Sequence, residues 1–375
     1  MGKPRLPDVE KQEMLDLPML LLTLLLTALG LVMIYSSSFA RALYESGDSA
    51  YYFKRQGIFA LVGTAAMLAI SRVRPELIRK MAFPVLGVSI LFLILVFVPG
   101  IGRAENGATR WVSLGISFQP SEVAKLGVIL SFAAMITRFG ENMETFRWGI
   151  APFAGILAVI VVLLRLEPHN SAIVIIACTA GAMLFLGGVK YRWFVLGGCA
   201  MLLGLILILG AGGYEASRIT AWQDPFSDPT DDGYQIIQSL YAIGSGGLFG
   251  LGFGQGRQKY LYLPEEHNDY IFSIACEELG LTGAAAILLL YALLILRGYW
   301  ISMHIRDRFL SLTVAGITTL TALQVFFNIG VVTNLLPSTG ISLPFFSYGG
   351  TALLIQLGEM GIILGASRQC SAGFL

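Results

Sequence analysis

Apolar runs long enough to cross a lipid bilayer recur along this chain from near its beginning to near its end, and that recurrence leaves few folds open. A helix needs about 20 mostly apolar residues to cover a hydrocarbon core of about 30 Å. Ten stretches meet the requirement: 17–38, 56–72, 81–98, 119–137, 149–165, 171–188, 193–212, 270–297, 309–332 and 346–366. Composition agrees. Hydrophobic residues make up 55% of the 375, charged residues only 13%, and the mean hydropathy is +0.73; a soluble domain carries about a quarter charged residues. The expected architecture is therefore all-α and polytopic. A short tail (1–16) precedes one transmembrane domain (17–366), and a second tail (367–375) follows it. The first run is too long for the apolar core of a cleaved signal, although Ala40-Arg41-Ala42 resembles a cleavage site. No internal repeat is visible.

Lysine and arginine set the expected orientation. With the N-terminus in the cytoplasm, 15 of the 25 basic residues fall inside, among them Lys3, Arg5, Lys11, Arg72, Arg74, Arg79 and Lys80. These sit on the tail and the shorter loops, as the positive-inside rule requires. Both termini are then cytoplasmic, and 99–118, 333–345 and a large loop at 213–269 face the other side. A net charge of +1 offers no nucleic-acid surface. The four cysteines, Cys178, Cys199, Cys276 and Cys370, show no CxxC spacing and read as small core residues.

Several polar stretches then stand out against this background. In LPEEHNDYIFSIACEELG (263–280), Asp269 opens the eighth run, with Ser273 and Glu277 following one and two turns later. Asn268 or Asp269 is a natural helix cap, though no capping box follows. Glu277 and Glu278 lie inside the run, where a carboxylate costs on the order of 2.5–3.5 kcal/mol and faces a cavity or a partner. In GATRWVSLGISFQPSEVAKL, Pro120 suits a first helical turn, and Glu122 and Lys125 are spaced to pair. A snorkelling lysine beside an exposed glutamate and a polar cavity behind Arg110-Trp111 are both open readings. The glycines of AIGSGGLFGLGFGQGRQKYLYLP (242–264) make a weak nucleotide motif, since no Walker lysine-serine/threonine follows. They suit tight turns and close backbone approach, while Arg218, Arg257 and Lys259 bring positive charge to that side. The Pro337–Pro344 segment breaks a run as a re-entrant turn does.

Three of these stretches carry a resemblance. RWVSLGISFQPSEVAKL, AIGSGGLFGLGFGQGRQKYLYLPEEHNDYIFSIACEELG and NIGVVTNLLPSTGISLPFFSYGGT, in that order, resemble the SEDS family of shape, elongation, division and sporulation proteins, the FtsW/RodA/SpoVE group. GQGRQKYLYLPE is closer to the division and sporulation branch than to the rod-elongation branch. The resemblance implies ten transmembrane helices and a peptidoglycan glycosyltransferase that polymerises lipid II on the outer face of the bacterial cytoplasmic membrane. It implies a class B penicillin-binding protein, a transpeptidase, as partner, alongside other division or sporulation proteins. The family's essential aspartate in its H-x-D motif falls on Asp269, after His267. Glu122 and Lys125 fall on its FQPSE..KL motif, and Arg110, Gln119, Ser121, Arg218, Gln238 and Ser347 on other positions near its cavity.

Two positions depart from the family pattern. Glu167-Pro168-His169 stands where relatives carry Gln-Pro-Asp or Glu-Pro-Asp, and Glu359 stands in a span where an apolar residue is expected. The chemistry expected is deprotonation of an acceptor sugar hydroxyl by Asp269, with arginines steadying the departing pyrophosphate. Glu265, Glu266, His267 and Asp269 match no standard metal-ligand spacing; a divalent cation, Mg²⁺ or Mn²⁺, is expected only with substrate phosphates. A lipid II flippase, a solute transporter and a division scaffold without catalysis are the competing classes. A transporter should show inverted repeats, and a scaffold has no use for an H-x-D motif.

Overall fold

The computed structural model describes residues 15–105, 108–113, 115, 117–198, 214–230 and 233–370. The first helix, α1 (Leu17–Ser46), begins where Asp16 accepts the Met19 N–H, and it stops at Gly47, whose φ of 71° is left-handed. Two more helices follow, α2 (Tyr51–Ile70) and α3 (Pro75–Leu95). A small antiparallel sheet comes next: β1 (Gly102–Glu105), β2 (Ala108–Ser113) and β3 (Ser117–Phe118), in that spatial order. Then come α4 (Pro120–Phe139), α5 (Ala151–Leu166) and α6 (Asn170–Leu186), and a helical stretch over 191–198. The remaining helices are α7 (Tyr214–Gln223), α8 (Tyr234–Gly246), α9 (Ile271–His304), α10 (Arg308–Val332) and α11 (Gly350–Ser367).

Among the described residues, eight helical segments are long and apolar enough to span a membrane, and α6 is a shorter apolar helix. The expected span at 193–212 lies largely outside the described residues. The 213–269 stretch is less of a loop than its polarity suggests, because it holds α7 and α8. Likewise 99–118 holds the sheet.

Buried and exposed faces are distributed as a bilayer demands. α4, α10 and α11 form the interior, with Phe132, Ile136, Phe309, Val314, Leu357 and Ile363 enclosed. The outer helices turn large apolar side chains outward, such as Leu61 at 75%, Phe185 at 67% and Leu296 at 65% exposure, which lipid can cover and water would penalise. Helices approach closely where side chains vanish: a Cβ at Gly361 would lie 2.6 Å from the Met67 carbonyl oxygen, so α11 and α2 pack almost backbone to backbone.

The two ends of the bundle are tied differently. At one end ion pairs staple neighbouring elements, Arg297 to Asp16 at 2.7 Å, Arg79 to Asp307 at 2.8 Å and Lys190 to Glu144 at 2.7 Å. The other end carries the sheet, α7, α8, the glycine-rich segment 247–263 and the strap 337–349. All the chemistry described below gathers at this loop-bearing end.

Candidate active site

The glycine-rich segment is held by a break in α9. Gly280 has a φ of 68° inside the 34-residue helix, which frees carbonyls before it and N–H groups after it. The segment pairs with both: Leu251 and Gly252 donate to the Glu277 and Glu278 carbonyls, and Leu281 and Thr282 donate to those of Gly247 and Leu248. Four of the groups opened by the break are thus satisfied by protein, as burial requires. A Cβ at Gly280 would lie 2.2 Å from the Gly250 nitrogen, so both the conformation and the approach require glycine.

The two carboxylates that looked misplaced in an apolar run are the anchors of this segment. Glu277 accepts the backbone N–H groups of Arg257 and Gln258 at 2.8 and 3.2 Å. Glu278 accepts from the Gly254 N–H at 3.0 Å, the Ser36 hydroxyl at 2.6 Å and the Lys259 ammonium at 2.7 Å. Lys259 is therefore turned inward against Glu278 and is not offered to a ligand, whereas Arg257 is exposed.

Past this segment the chain delivers Asp269. The capping reading fails: α9 starts at Ile271 with Tyr270 as its cap residue and no side-chain cap bond. Asp269 instead sits in a turn fixed from three sides. The Asn328 amide donates to the Asp269 and Ile341 carbonyls, both at 2.7 Å. The Ser347 hydroxyl donates to the Asn268 carbonyl at 2.7 Å, and the Tyr348 N–H to that of His267 at 2.9 Å. Upstream, buried Glu266 takes a two-pronged bond from Arg41 of α1 at 2.7 and 2.8 Å. The His267 ring packs against Tyr52 and Tyr348, with centroids 4.5 and 5.6 Å away. Ser273 does not face a ligand; its hydroxyl bonds Ser239 of α8 at 2.7 Å.

The Asp269 carboxylate lies against the strap, with Oδ2 3.2 Å from where a Cβ at Gly340 would be. Burial, with repulsion from Glu265, pushes its pKa up to about 7, while His267, Arg218 and Arg110 pull the other way. The strap also gathers the neighbours. Arg218 donates to the Ser338 carbonyl at 3.0 Å and the Ser171 hydroxyl to that of Thr339.

Arg110 links this centre to the second polar cluster. Its guanidinium donates to the Pro168 carbonyl at 2.6 Å and acts electrostatically on Asp269, Glu167 and His169. The sheet supplies Arg110, which places it above the first turn of α4. There Gln119 meets His169 at 3.4 Å, and the Ser121 hydroxyl is buried without a partner. Deeper on α4, Lys125 and Glu122 pair at 2.7 Å with 6% and 10% side-chain exposure, so the pairing that the i,i+3 spacing allows is made and the lysine does not snorkel beside an exposed glutamate. Glu359 of α11 is 3% exposed and lies within electrostatic reach of both. Gln238 is half-buried on α8.

The structure therefore brings Asp269, His267, Arg110, Arg218, Gln119, Ser121, Lys125 and Glu122 into one column descending from the loop-bearing end. It assigns Ser347 to holding the turn. Among the described residues no three His, Cys, Asp or Glu side chains gather as a metal site. Sequence reasoning left Glu167 and His169 out of the candidate residues. Their signal was present as an Xaa-Pro-Xaa turn between two apolar runs carrying an acid and an imidazole.

A family model described as "Cell cycle protein", for FtsW, RodA and SpoVE, matches residues 16–372, nearly the whole chain. This protein belongs to that family. Stage V sporulation protein E of Bacillus subtilis (strain 168) is 40% identical over 354 residues, covering 94% of this chain and 97% of the relative. The probable peptidoglycan glycosyltransferase FtsW of Geobacter metallireducens is 40% identical over 364 residues, covering 96% and 97%. Among solved structures, a chain of a peptidoglycan synthase complex, studied for its coordination of polymerization and crosslinking, superposes with a TM-score of 0.80 at 28% identity over 96% of this chain and 99% of that one. The crystal structure of the rod shape determining protein RodA of Thermus thermophilus gives 0.69 at 28% identity, over 94% and 97%.

Proposed function

We propose that this protein is a peptidoglycan glycosyltransferase of the bacterial cytoplasmic membrane, that its loop-bearing end faces outward, and that Asp269 is its base. The observation that carries the proposal is the setting of Asp269: a half-buried carboxylate in a turn bonded on three sides, with two arginines acting on it. The relatives named as glycosyltransferases support the reaction class.

Asp269, ionised, accepts the proton of the acceptor's C4 hydroxyl. The oxygen forms its bond to the anomeric carbon of the donor as the bond from that carbon to the undecaprenyl pyrophosphate breaks. The configuration inverts, and the proton leaves Asp269 to solvent at the same end. A base with a pKa of about 7 is matched to neutral pH and is worth about 10²–10⁴-fold. Arg110 and Arg218 hold the phosphates, for which a guanidinium fork is suited. The described side chains form no cage for a divalent cation, and no step is assigned to one. Lipid-borne substrates enter sideways, and the Lys125–Glu122–Glu359 group keeps the floor of the column polar.

The partner is a class B penicillin-binding protein; the match to a chain of a peptidoglycan synthase complex supports an assembly of this kind. The 40% identities to the sporulation protein and to FtsW favour a role in division or sporulation.

Polymerisation of purified lipid II with the partner tests the proposal, comparing wild type with Asp269→Ala and Asp269→Asn after each is shown to fold and to bind the partner. Glycan strands from wild type alone support it. Equal strands from all three remove Asp269 from the chemistry. No strands from any sample return the protein to the flippase or scaffold class.

A further inference from the structure

Glu167 is 1% exposed, and neither of its carboxyl oxygens has a hydrogen-bond partner. An unpaired buried carboxyl weakens the fold that holds it, so the folded state alone gives no reason for an acid at this position. Burial pushes its pKa up to about 8, against the pull of Arg110, so at neutral pH it is an uncharged acid that still offers its carbonyl oxygen.

Two residues on, His169 is 8% exposed, and its Nδ1 also lacks a partner. Gln119 reaches the other ring nitrogen, Nε2, at 3.4 Å. With the Gln119 amide nitrogen donating, Nε2 is the acceptor and the ring hydrogen sits on Nδ1. Burial, with repulsion from Arg110 and Lys125, pushes the His169 pKa down to about 3, so the ring is neutral and Nδ1–H is its one donor. An acceptor and a donor thus flank Pro168, whose own carbonyl is taken by Arg110 at 2.6 Å. The same guanidinium acts on Asp269, which puts this turn beside the reacting centre.

A neutral group with one N–H and one carbonyl on adjacent atoms matches this pair, and an acetamido group is such a group. We propose that Glu167 and His169 form a subsite for the acetamido group of an N-acetylated amino sugar, its N–H donating to Glu167 and its carbonyl accepting from His169 Nδ1–H. The proposal rests on the glycosyltransferase reading and adds the part of the sugar that is recognised. Both residues are binding residues; neither is given a proton to transfer.

Binding without turnover separates the two claims. In the Asp269→Asn background, affinities are measured for three purified lipids: lipid II, lipid II stripped of its acetyl groups, and undecaprenyl pyrophosphate without sugar. Glu167→Leu and His169→Phe should each weaken lipid II binding about tenfold, leave undecaprenyl pyrophosphate within about twofold, and leave the melting temperature equal or higher. Glu167→Gln, which keeps a carbonyl acceptor, should stay within about threefold of its parent. The parent should prefer acetylated over deacetylated lipid II, and the Leu and Phe variants should lose that preference. Unchanged lipid II affinity and an intact acetyl preference in both variants overturn the subsite, as does an equal loss of all three lipids. A parent that binds undecaprenyl pyrophosphate and lipid II with the same affinity, acetylated or not, overturns it too. A parent that binds none of the lipids overturns the glycosyltransferase reading itself, and the subsite with it.

Discussion

Replacing Lys259 by methionine tests whether the glycine-rich segment is nailed to α9. The ammonium lies 2.7 Å from Glu278, with side-chain exposures of 3% and 0%. At 2.7 Å and an effective dielectric of about 20, the attraction is about 6 kcal/mol before desolvation is subtracted. Removing one partner of such a pair strands the other and costs about 3–5 kcal/mol. Glu278 retains the Ser36 hydroxyl at 2.6 Å and the Gly254 N–H at 3.0 Å, which puts Lys259→Met near the lower bound, about 3 kcal/mol. Adding Glu278→Gln removes the stranded charge while keeping an acceptor for both donors. The double variant should therefore recover to within about 1–2 kcal/mol of wild type. Thermal unfolding followed with a thiol-reactive fluorogenic probe suits the question, because Cys276 is buried on the same helix two residues from Glu278. The single variant should melt about 4 °C below wild type. A loss under about 1 kcal/mol, or a double variant no better than the single, would refute the claim that the buried pair anchors the segment.

Polymerisation rate should rise with pH through about 7, because Asp269 acts as a base only when ionised. Glu265→Gln removes a repulsion and should move that limb to lower pH, whereas Arg218→Gln removes an attraction and should move it higher; pH–rate profiles of the three proteins decide. Gly280→Ala forces a Cβ to 2.2 Å from the Gly250 nitrogen at a φ of 68°, and should cost about 3 kcal/mol or more, read as lost folded protein after detergent extraction. Lys125→Met leaves Glu122 and Glu359 buried without their cation and should cost about 3–5 kcal/mol. Adding Glu359→Gln should restore part of that loss, and a melting series that shows no restoration removes Glu359 from the cluster.

Much of the bundle was legible because a bilayer imposes a length and an apolar surface that a sequence cannot disguise. The Glu122–Lys125 pair was legible for a similar reason, since an i,i+3 spacing is a local distance and two charges inside a helix need each other. Long-range partners were not. Nothing near Glu277 and Glu278 in sequence shows that one will gather the amides of 257 and 258, or that the other will meet Ser36 on the first helix. Asn268 and Asp269 read as caps because capping is local, but their turn is set by Asn328 and Ser347, 59 and 79 residues away. Glu167 and His169 stood out only as a departure from the family pattern, and their role stayed hidden for the opposite reason. Their distinction is a set of buried atoms without partners, both Glu167 oxygens and His169 Nδ1, a property visible only once every neighbour is in place.

The break at Gly280 also bears on how the protein is made. α9 is 34 residues long, about 51 Å at helical rise, and a bilayer core takes only about 30 Å of it. The 24 residues after the break span on their own. The nine before it are closed in by protein and carry two acids that lipid would reject. The insertion machinery can therefore release Leu281 onward into the membrane as an ordinary greasy segment and leave the acidic turns outside it. α1 and the glycine-rich segment precede α9 in the chain and are there to receive those turns, whereas Asn328 and Ser347, which fix the turn at Asp269, follow it. The turn that carries Asp269 is thus completed only once the chain has been made through the strap.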